Sequence, residues 1–246
     1  MFESASPEDR QARAHALRTA PGARRTATVH YLTPLILART TKGPVIGAAV
    51  ATNPTKRWLD IFLSSLALLI FLPLLLVIAV GVRFETRGPI LFRQRRTGLN
   101  GRIFTIFKFR TMTVAEDQGD IRHATKDDAR VTPLGLVLRK CSLDELPQLL
   151  NILRGDMSIV GPRPHAVAHD DYYGAQIPQY AARFRARPGL TGLAQVSGYR
   201  GEIEDLGCMA NRVDADNAYI DSWSLGRDLM IILRTVPLIF RDPNAY

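Results

Sequence analysis

The feature that most restricts the fold of this chain is an uncharged apolar segment, Ile61 to Val82. It is long enough to cross the hydrocarbon core of a membrane as a helix, and helices of soluble proteins are rarely this apolar. Pro73 lies near the middle of the segment, where it removes one backbone hydrogen bond and bends a helix. Two structures remain open: a proline-kinked helix that spans the membrane, and a re-entrant hairpin that enters and leaves one leaflet.

Basic residues flank both ends of this segment and favour the hairpin. They are Lys56 and Arg57 before it, and Arg83, Arg87, Arg93, Arg95 and Arg96 after it. Because positive charge is retained on the cytoplasmic side of a membrane, both ends are expected on that side. Each arm of about eleven residues reaches roughly 16 Å, about half of the hydrocarbon core. We therefore predict a re-entrant membrane helix over residues 56–87 that bends at Pro73.

The composition of the chain points to anionic partners. Its 246 residues include 32 Lys and Arg against 23 Asp and Glu, a formal net charge of +9. Such a balance suits nucleic acid, an anionic membrane surface or phosphorylated substrates. Residues 1–55 are rich in Arg, Ala, Thr, Pro and Gly, which predicts a basic, mostly disordered arm. Cys141 and Cys208 match no metal or redox spacing, which fits a reducing compartment.

A β-hairpin is predicted directly after the apolar segment. Ile90 to Phe92 and Ile103 to Phe109 are strand-like runs, and the turn between them contains Asn100-Gly101. This dipeptide is the strongest short-range signal for a tight hairpin turn. Lys108 and Arg110 then lie at the end of the second strand.

The remaining soluble part, residues 88–246, has mainly helical patterns. Leu134 to Lys140 and Glu145 to Leu153 have helical apolar spacing, and Gly155 suits the C-terminus of the second helix. The polar residues 113–130 indicate a surface loop or short helix. Two apolar runs near the end of the chain are too short to span a membrane, so they either lie in the membrane interface or pack on the core. The predicted class is α+β, mainly helical: a monotopic membrane domain with a small β-hairpin and interfacial amphipathic helices.

Two adjacent carboxylates, Asp144 and Glu145, stand at the entry to the second of these helices. Pro147 must lie within the first helical turn, so the helix begins close to the acids. Ser142 and Glu145 have the spacing of a capping box, although Asp144 is an alternative N-cap. Either position lies at the positive end of a helix dipole, which favours ionised carboxylates. A fixed, ionised carboxylate can attack as a nucleophile or hold a divalent cation, whereas the simpler interpretation is a helix cap.

The motif Gly161-Pro162-Arg163-Pro164 follows shortly afterwards and is rigid and extended, because each proline restricts the residue before it. Arg163 is therefore held at a defined angle, which suits bidentate contact with phosphate. The alternative is a proline-rich turn with an exposed arginine.

Together these motifs resemble the bacterial sugar transferases, also called polyprenyl-phosphate hexose-1-phosphate transferases or monotopic phosphoglycosyl transferases. The resemblance runs from about Lys56 to Phe240, and the chain is similar to the short form of the family. The matching stretches are residues 88–92, 94–98, 104–112, 143–150, 155–164, 187–192 and 219–225. Relatives usually place serine before the membrane proline, whereas here Leu72 precedes Pro73.

The resemblance implies transfer of a hexose-1-phosphate from a UDP-sugar to polyprenyl (undecaprenyl) phosphate, at the cytosolic face of the bacterial inner membrane. Glucose-1-phosphate transfer that initiates exopolysaccharide or capsule synthesis is the expected reaction, through an aspartyl-phosphosugar intermediate. It further implies Mg2+ as cofactor, contact with membrane lipid and no nucleic-acid partner, and leaves a homodimer open. The implied roles are Asp144 as nucleophile, Glu145 as second acid, both as Mg2+ ligands, and substrate binding by Lys108, Arg110, Pro162 and Arg163.

Other functions are weighed against this one. A galactose-1-phosphate or another UDP-sugar donor remains open, because no residue reads the sugar configuration. A nucleic-acid-binding protein would explain the charge, but the aromatic residues do not alternate with basic patches as single-strand binding requires. A non-catalytic scaffold for glycan assembly would keep the apolar segment, but would have no need of Asp144 and Glu145 near a rigid Arg163.

Overall fold

The computed structural model of the protein describes residues 48–113, 128–199, 201, 203 and 205–241. This part of the chain is mostly helical, with a small antiparallel sheet and one long apolar helix, as predicted for the fold class. The helices and strands, in chain order, are α1 (Ala49–Thr52), α2 (Pro54–Glu85), β1 (Leu91–Thr97), β2 (Ile103–Phe109), α3 (Pro133–Lys140), α4 (Gln148–Arg154), β3 (Ser158–Val160), α5 (Val167–Gly174), β4 (Gly189–Thr191), α6 (Leu193–Val196), α7 (Leu206–Asp221) and α8 (Leu225–Arg241).

Helix α2 contains the whole apolar segment. It begins at Pro54 because the Asn53 side chain accepts a hydrogen bond from Lys56 N at 3.1 Å, and its 32 residues are long and apolar enough to cross a membrane. Of the predicted arm, residues 1–47 lie outside the described part. The residues just before α2 are ordered, since Val50 of α1 is buried in a core cluster.

The two ends of α2 have residues that are buried against the rest of the described chain, whereas its middle is exposed. Lys56, Asp60 and Ser64 are buried near the N-terminal end, and Ile78 and Val82 near the C-terminal end. Every residue from 69 to 74 is exposed. Because this stretch exceeds one full helical turn of 3.6 residues, no face of the helix contacts the described domain there.

The predicted hairpin is confirmed. Strands β1 and β2 pair antiparallel, with Leu91 opposite Phe109 and Thr97 opposite Ile103. Asn100 and Gly101 both adopt positive φ, 55° and 75°, as this tight turn requires. Lys108 therefore stands near the end of a strand with a fixed register.

The two predicted helices after the hairpin are also present. Helix α3 is capped by Thr132, whose side chain accepts from Gly135 N at 2.9 Å. Helix α4 ends at Gly155, which has φ of 90° and so adopts the left-handed conformation expected of a C-terminal glycine. The predicted loop over residues 113–130 lies mostly outside the described residues.

A short parallel pair, β3 and β4, was not predicted from the sequence. Ser158 lies opposite Gly189 and Val160 opposite Thr191. The two backbones approach so closely beyond β3 that a Cβ on Gly189 would meet Gly161 N at 2.1 Å. Glycine is therefore required for this contact, which fixes the start of the Gly161-Pro162-Arg163-Pro164 segment.

The two apolar runs near the end of the chain belong mainly to one helix, α8. Ile231 is fully buried against Val160 and Tyr219 in a core cluster. The opposite side of the helix exposes four apolar residues at spacings of four, four and three: Leu225, Leu229, Leu233 and Val236. The helix therefore packs on the core with one side and presents an apolar stripe with the other.

Candidate active site

Asp144 and Glu145 lie in a separate 3-10 turn, Leu143–Glu145, and not in the first turn of α4. The predicted helix start is therefore wrong by three residues, since α4 begins only at Gln148, after Pro147. Ser142 adopts a left-handed conformation with φ of 56° and makes no capping hydrogen bond, so neither form of the predicted cap is present. Positive φ at a residue other than glycine is uncommon and is often found at functional sites.

Glu145 is held between two cations. Its Oε1 accepts from Lys108 Nζ at 2.6 Å and from Arg163 Nη2 at 2.7 Å, while Oε2 lies 3.4 Å from Arg163 Nη1. Burial would raise the pKa of Glu145, but the charges and hydrogen bonds of Arg163 and Lys108 lower it well below its usual range. Glu145 is therefore ionised, and its negative charge is neutralised by these neighbours.

Asp144 has a different environment although it is the adjacent residue. It is buried, with 8% of its surface exposed, and no described residue forms a hydrogen bond or ion pair with its carboxylate. Burial raises its pKa to about 6, an effect that the charge of Lys108 offsets only in part. The expected stabilisation of the ionised form by a helix dipole therefore does not dominate at Asp144. At neutral pH, the site holds a largely ionised and poorly solvated carboxylate.

Lys108 is placed by a buried asparagine that the sequence reasoning did not single out. Asn151 of α4 is fully buried, accepts from Phe107 N at 3.0 Å and donates to Thr105 O at 2.7 Å. These bonds join α4 to β2 and fix the strand next to Lys108. A polar residue within the otherwise apolar run of α4 was the only signal in the sequence.

Arg163 reaches Glu145 from the segment that follows β3. Pro162 O accepts from Gly189 N at 2.9 Å, which ties the motif to β4. The Arg163 side chain is 34% exposed, although its guanidinium contacts Glu145. The structure thus brings together four of the predicted site residues: Asp144, Glu145, Lys108 and Arg163.

Arg110 does not join them by any hydrogen bond or ion pair found among the described residues. It donates to Thr86 O at 2.8 Å and to Arg87 O at 3.0 Å, directly after the C-terminus of α2. Its guanidinium satisfies backbone carbonyls where the long helix ends, so its observed contacts are structural. Strand alternation alone would place Lys108 and Arg110 on the same face, but β2 ends at Phe109 and Arg110 lies just beyond it, beside the end of α2.

Asp144 and Glu145 are the candidate ligands for a divalent cation at this site. Within the described part of the chain, no group of three or more His, Cys, Asp or Glu is arranged to hold a metal. Mg2+ commonly takes only one or two carboxylates and completes its shell with water and substrate phosphates. Asp144 offers such a shared site a carboxylate that is unpaired among the described residues, whereas both oxygens of Glu145 already contact Lys108 or Arg163.

Comparison with known proteins identifies the family. A family model described as "Bacterial sugar transferase" matches residues 51–242. The chain belongs to the bacterial sugar transferase family. The match runs from within α1 to the end of α8 and therefore includes both the long apolar helix and the site around Asp144.

Named relatives of this bacterial sugar transferase point in the same direction. A UDP-glucose:undecaprenyl-phosphate glucose-1-phosphate transferase of Caulobacter vibrioides is 57% identical over 197 residues, 80% of this chain and 74% of the relative. A protein of the same name from Escherichia coli is 47% identical over 191 residues, 78% of this chain and 41% of the relative. A UDP-N-acetylgalactosamine-undecaprenyl-phosphate N-acetylgalactosaminephosphotransferase of Aeromonas hydrophila is 40% identical over 191 residues, 77% of this chain and 44% of the relative. The chain thus spans about two fifths of the length of the latter two proteins.

Proposed function

We propose that this bacterial sugar transferase moves glucose-1-phosphate from UDP-glucose to undecaprenyl phosphate, the first step of exopolysaccharide synthesis. The observation that carries the proposal is the contrast between the two acids. Glu145 is neutralised by Lys108 and Arg163, whereas Asp144 is buried, ionisable and unpaired among the described residues. A poorly solvated carboxylate beside a pair of cations suits attack on a phosphate.

In this proposal the reaction has two steps at Asp144. Its carboxylate oxygen attacks the phosphorus that carries the sugar, a new P–O bond forms, and UMP leaves with the former bridging oxygen. An oxygen of the lipid phosphate then attacks the same phosphorus and releases the Asp144 carboxylate. Both substrates are anions, so the charges of Lys108 and Arg163 lower the electrostatic cost of bringing a carboxylate to them.

Mg2+ is part of the proposal as a group shared between protein and substrate. Asp144 and Glu145 would hold it, and when bound it would neutralise charge on the donor diphosphate. Pro162 would contribute rigidity beside Arg163. For Arg110 the proposal changes, since its contacts with the end of α2 favour a structural role over substrate binding.

The proposal places α2 in one leaflet of the inner membrane as a helix bent at Pro73. The burial of both ends on the same domain supports this, together with the full exposure of residues 69–74. A straight helix of this length would extend roughly 48 Å and would leave the domain at one end. A bend returns both ends to the cytosolic face, where the acceptor phosphate lies at headgroup height.

Two amphipathic surfaces are proposed to rest on the same membrane face. One is the apolar stripe of α8, from Leu225 to Val236. The other is the exposed pair Leu136 and Val137 of α3, a helix that ends with two basic residues. Apolar residues next to lysine or arginine suit an anionic lipid interface.

The test is a turnover assay with purified full-length protein in detergent, undecaprenyl phosphate and Mg2+. UDP-glucose, UDP-galactose and UDP-N-acetylgalactosamine are supplied in parallel, and released UMP and labelled lipid are measured. We expect UDP-glucose to be the preferred donor. Transfer of another sugar would correct the donor, and no lipid product from any donor would favour the scaffold function.

A further inference from the structure

A buried polar network lies directly beneath the Gly161-Pro162-Arg163-Pro164 segment and is not part of the carboxylate pair. Its centre is Arg183, which is 3% exposed and lies in the 3-10 turn Tyr180–Arg185. Its Nη2 donates to Arg163 O at 2.7 Å, and its Nη1 lies 3.0 Å from His165 Nδ1. One guanidinium therefore contacts the residue on each side of Pro164.

Arg183 is itself held by a partner on another element. Its Nε donates to Asp216 Oδ2 at 2.8 Å, and Asp216 is a buried residue of α7. The guanidinium also lies over the Tyr180 ring, 5.1 Å from its centroid. Because the guanidinium is planar and its donors point in fixed directions, anchoring one edge sets the direction of the others.

The protonation state of His165 allows it to accept a hydrogen bond from Arg183. Burial, and after it the charge of Arg183, lowers the pKa of His165 well below its usual range, so the ring is neutral. A neutral ring can accept at Nδ1 from Arg183 when its proton is on Nε2. Tyr180 Oη lies 2.8 Å from the same nitrogen and donates to Asp170 Oδ1 at 2.7 Å. Because the single Tyr180 hydroxyl proton is used on Asp170, the hydrogen bond that holds the His165 ring at Nδ1 is the one from Arg183.

We propose that Arg183, oriented by Asp216, is a positioning residue that aims the Arg163 side chain at Glu145 and at the donor diphosphate. The inference rests on the proposed function, since it assigns Arg183 an effect on that reaction. The link runs from Arg183 to the backbone carbonyl of Arg163, and from the Arg163 guanidinium to Glu145 at 2.7 Å. A competing explanation is that the buried Arg183–Asp216 pair only stabilises the packing of α7.

A double-mutant cycle distinguishes the two explanations. Arg183→Lys keeps the charge but cannot contact all three acceptors, and Arg163→Ala removes the side chain on which Arg183 is proposed to act. We expect Arg183→Lys to lower kcat/KM by roughly tenfold to a hundredfold, as small misplacements of binding groups do. In the Arg163→Ala protein the same change should alter kcat/KM by less than about twofold, because the positioned side chain is already absent.

Asp216→Asn provides a milder second variant in case Arg183→Lys does not fold. It should lower kcat/KM by less than Arg183→Lys does, and this loss should also largely disappear when the Arg163 side chain is removed. Arg185→Lys is the matched control, since it lies in the same turn but pairs with Asp221 at the surface. It should leave kcat/KM unchanged in both backgrounds.

Donor affinity gives a reading that does not need turnover. The cycle is repeated with Asp144→Asn in every protein, and UDP-glucose binding is measured by calorimetry. The positioning role would be overturned if Arg183→Lys lowered the affinity for UDP-glucose equally with and without the Arg163 side chain. It would also be overturned if neither Arg183→Lys nor Asp216→Asn lowered this affinity in folded protein. An inactive wild-type protein would instead contradict the proposed function, while the affinity cycle would still decide the role of Arg183.

Discussion

At the scale of single residues, the site depends on a difference between neighbours. Glu145 has two cationic partners at 2.6 and 2.7 Å, whereas burial raises the pKa of Asp144 to about 6. The same local sequence therefore produces one acid whose charge organises Lys108 and Arg163, and one whose charge is available for chemistry. Functional sites commonly separate the properties of paired carboxylates in this way.

The raised pKa predicts that Asp144 destabilises the folded protein at neutral pH. The carboxylate of Asp144 binds its proton more tightly in the folded state than in the unfolded state. The free energy of unfolding therefore decreases as pH rises from 3.8, the ordinary pKa, to about 6, the raised pKa. Asp144→Asn removes the titration. It should stabilise the protein by roughly 3 kcal/mol at pH 8, and this gain should decline as pH falls below about 6. Unfolding free energies of both proteins between pH 4.5 and pH 8 provide the measurement, and a gain that does not change with pH would contradict the buried, unpaired state.

The resemblance to the family grouped Asp144, Glu145, Lys108 and Arg163, and the structure brings Lys108 and Arg163 into hydrogen-bonding distance of Glu145. Their roles in catalysis and in substrate binding stay predictions. The sequence did not allow prediction of where Arg110 points, since that depends on the exit of β2 beside the end of α2. Asn151 and Arg183 were also missed. Each acts on the backbone of a distant segment, and no local pattern reveals such a contact.

At the scale of helices and strands, the elements set by local sequence signals were predicted, whereas the elements that depend on contacts between distant segments were not. Asn100-Gly101 fixed the β-hairpin and Gly155 ended α4, because both positions require positive φ. The pair of short strands, β3 and β4, depends on a contact between segments about thirty residues apart, and three-residue strands have no periodicity to recognise. The 3-10 turn that carries Asp144 was mistaken for the start of α4, because a turn of three residues is also too short to show a periodic pattern.

Helix α2 is attached to the domain by buried polar residues at its N-terminal end. Lys56 Nζ donates to Asp228 Oδ2 at 2.7 Å and to Val160 O at 3.1 Å. Asp60 accepts from Ser158 Oγ and from Ile159 N, both at 3.0 Å. These contacts fix the position of α2 against β3, the strand that leads to the Arg163 segment.

This attachment predicts a large effect of Lys56→Met. The variant leaves the buried Asp228 charge without its cationic partner, which typically costs about 3–5 kcal/mol. In detergent the apparent Tm should fall by roughly 10 °C, and adding Asp228→Asn should recover part of the loss. Arg185→Met, which breaks the exposed pair with Asp221, is the control and should cost under about 1 kcal/mol. Equal effects of the two variants would show that the buried pair does not hold α2.

At the scale of the whole molecule, the proposed re-entrant position of α2 in a membrane can be tested by labelling. Its two ends contact the soluble domain and its middle does not. We expect cysteines introduced at Thr55 and Arg87, both exposed, to react with a membrane-impermeant reagent from the same side. The native Cys141 and Cys208 are first replaced by serine. In inside-out vesicles both sites should be labelled, and in spheroplasts neither; labelling from opposite sides would establish a spanning helix.

The central claim is that Asp144 carries the sugar phosphate between donor and acceptor. The most direct measurement is mass spectrometry of the full-length protein trapped with UDP-glucose and Mg2+ in the absence of undecaprenyl phosphate. We predict one hexose phosphate on the peptide that contains Asp144, its loss when the lipid acceptor is added, and no adduct on the Asp144→Asn protein. An adduct on Glu145 or Cys141, or turnover that needs both substrates at once with no adduct on any peptide, would contradict the account.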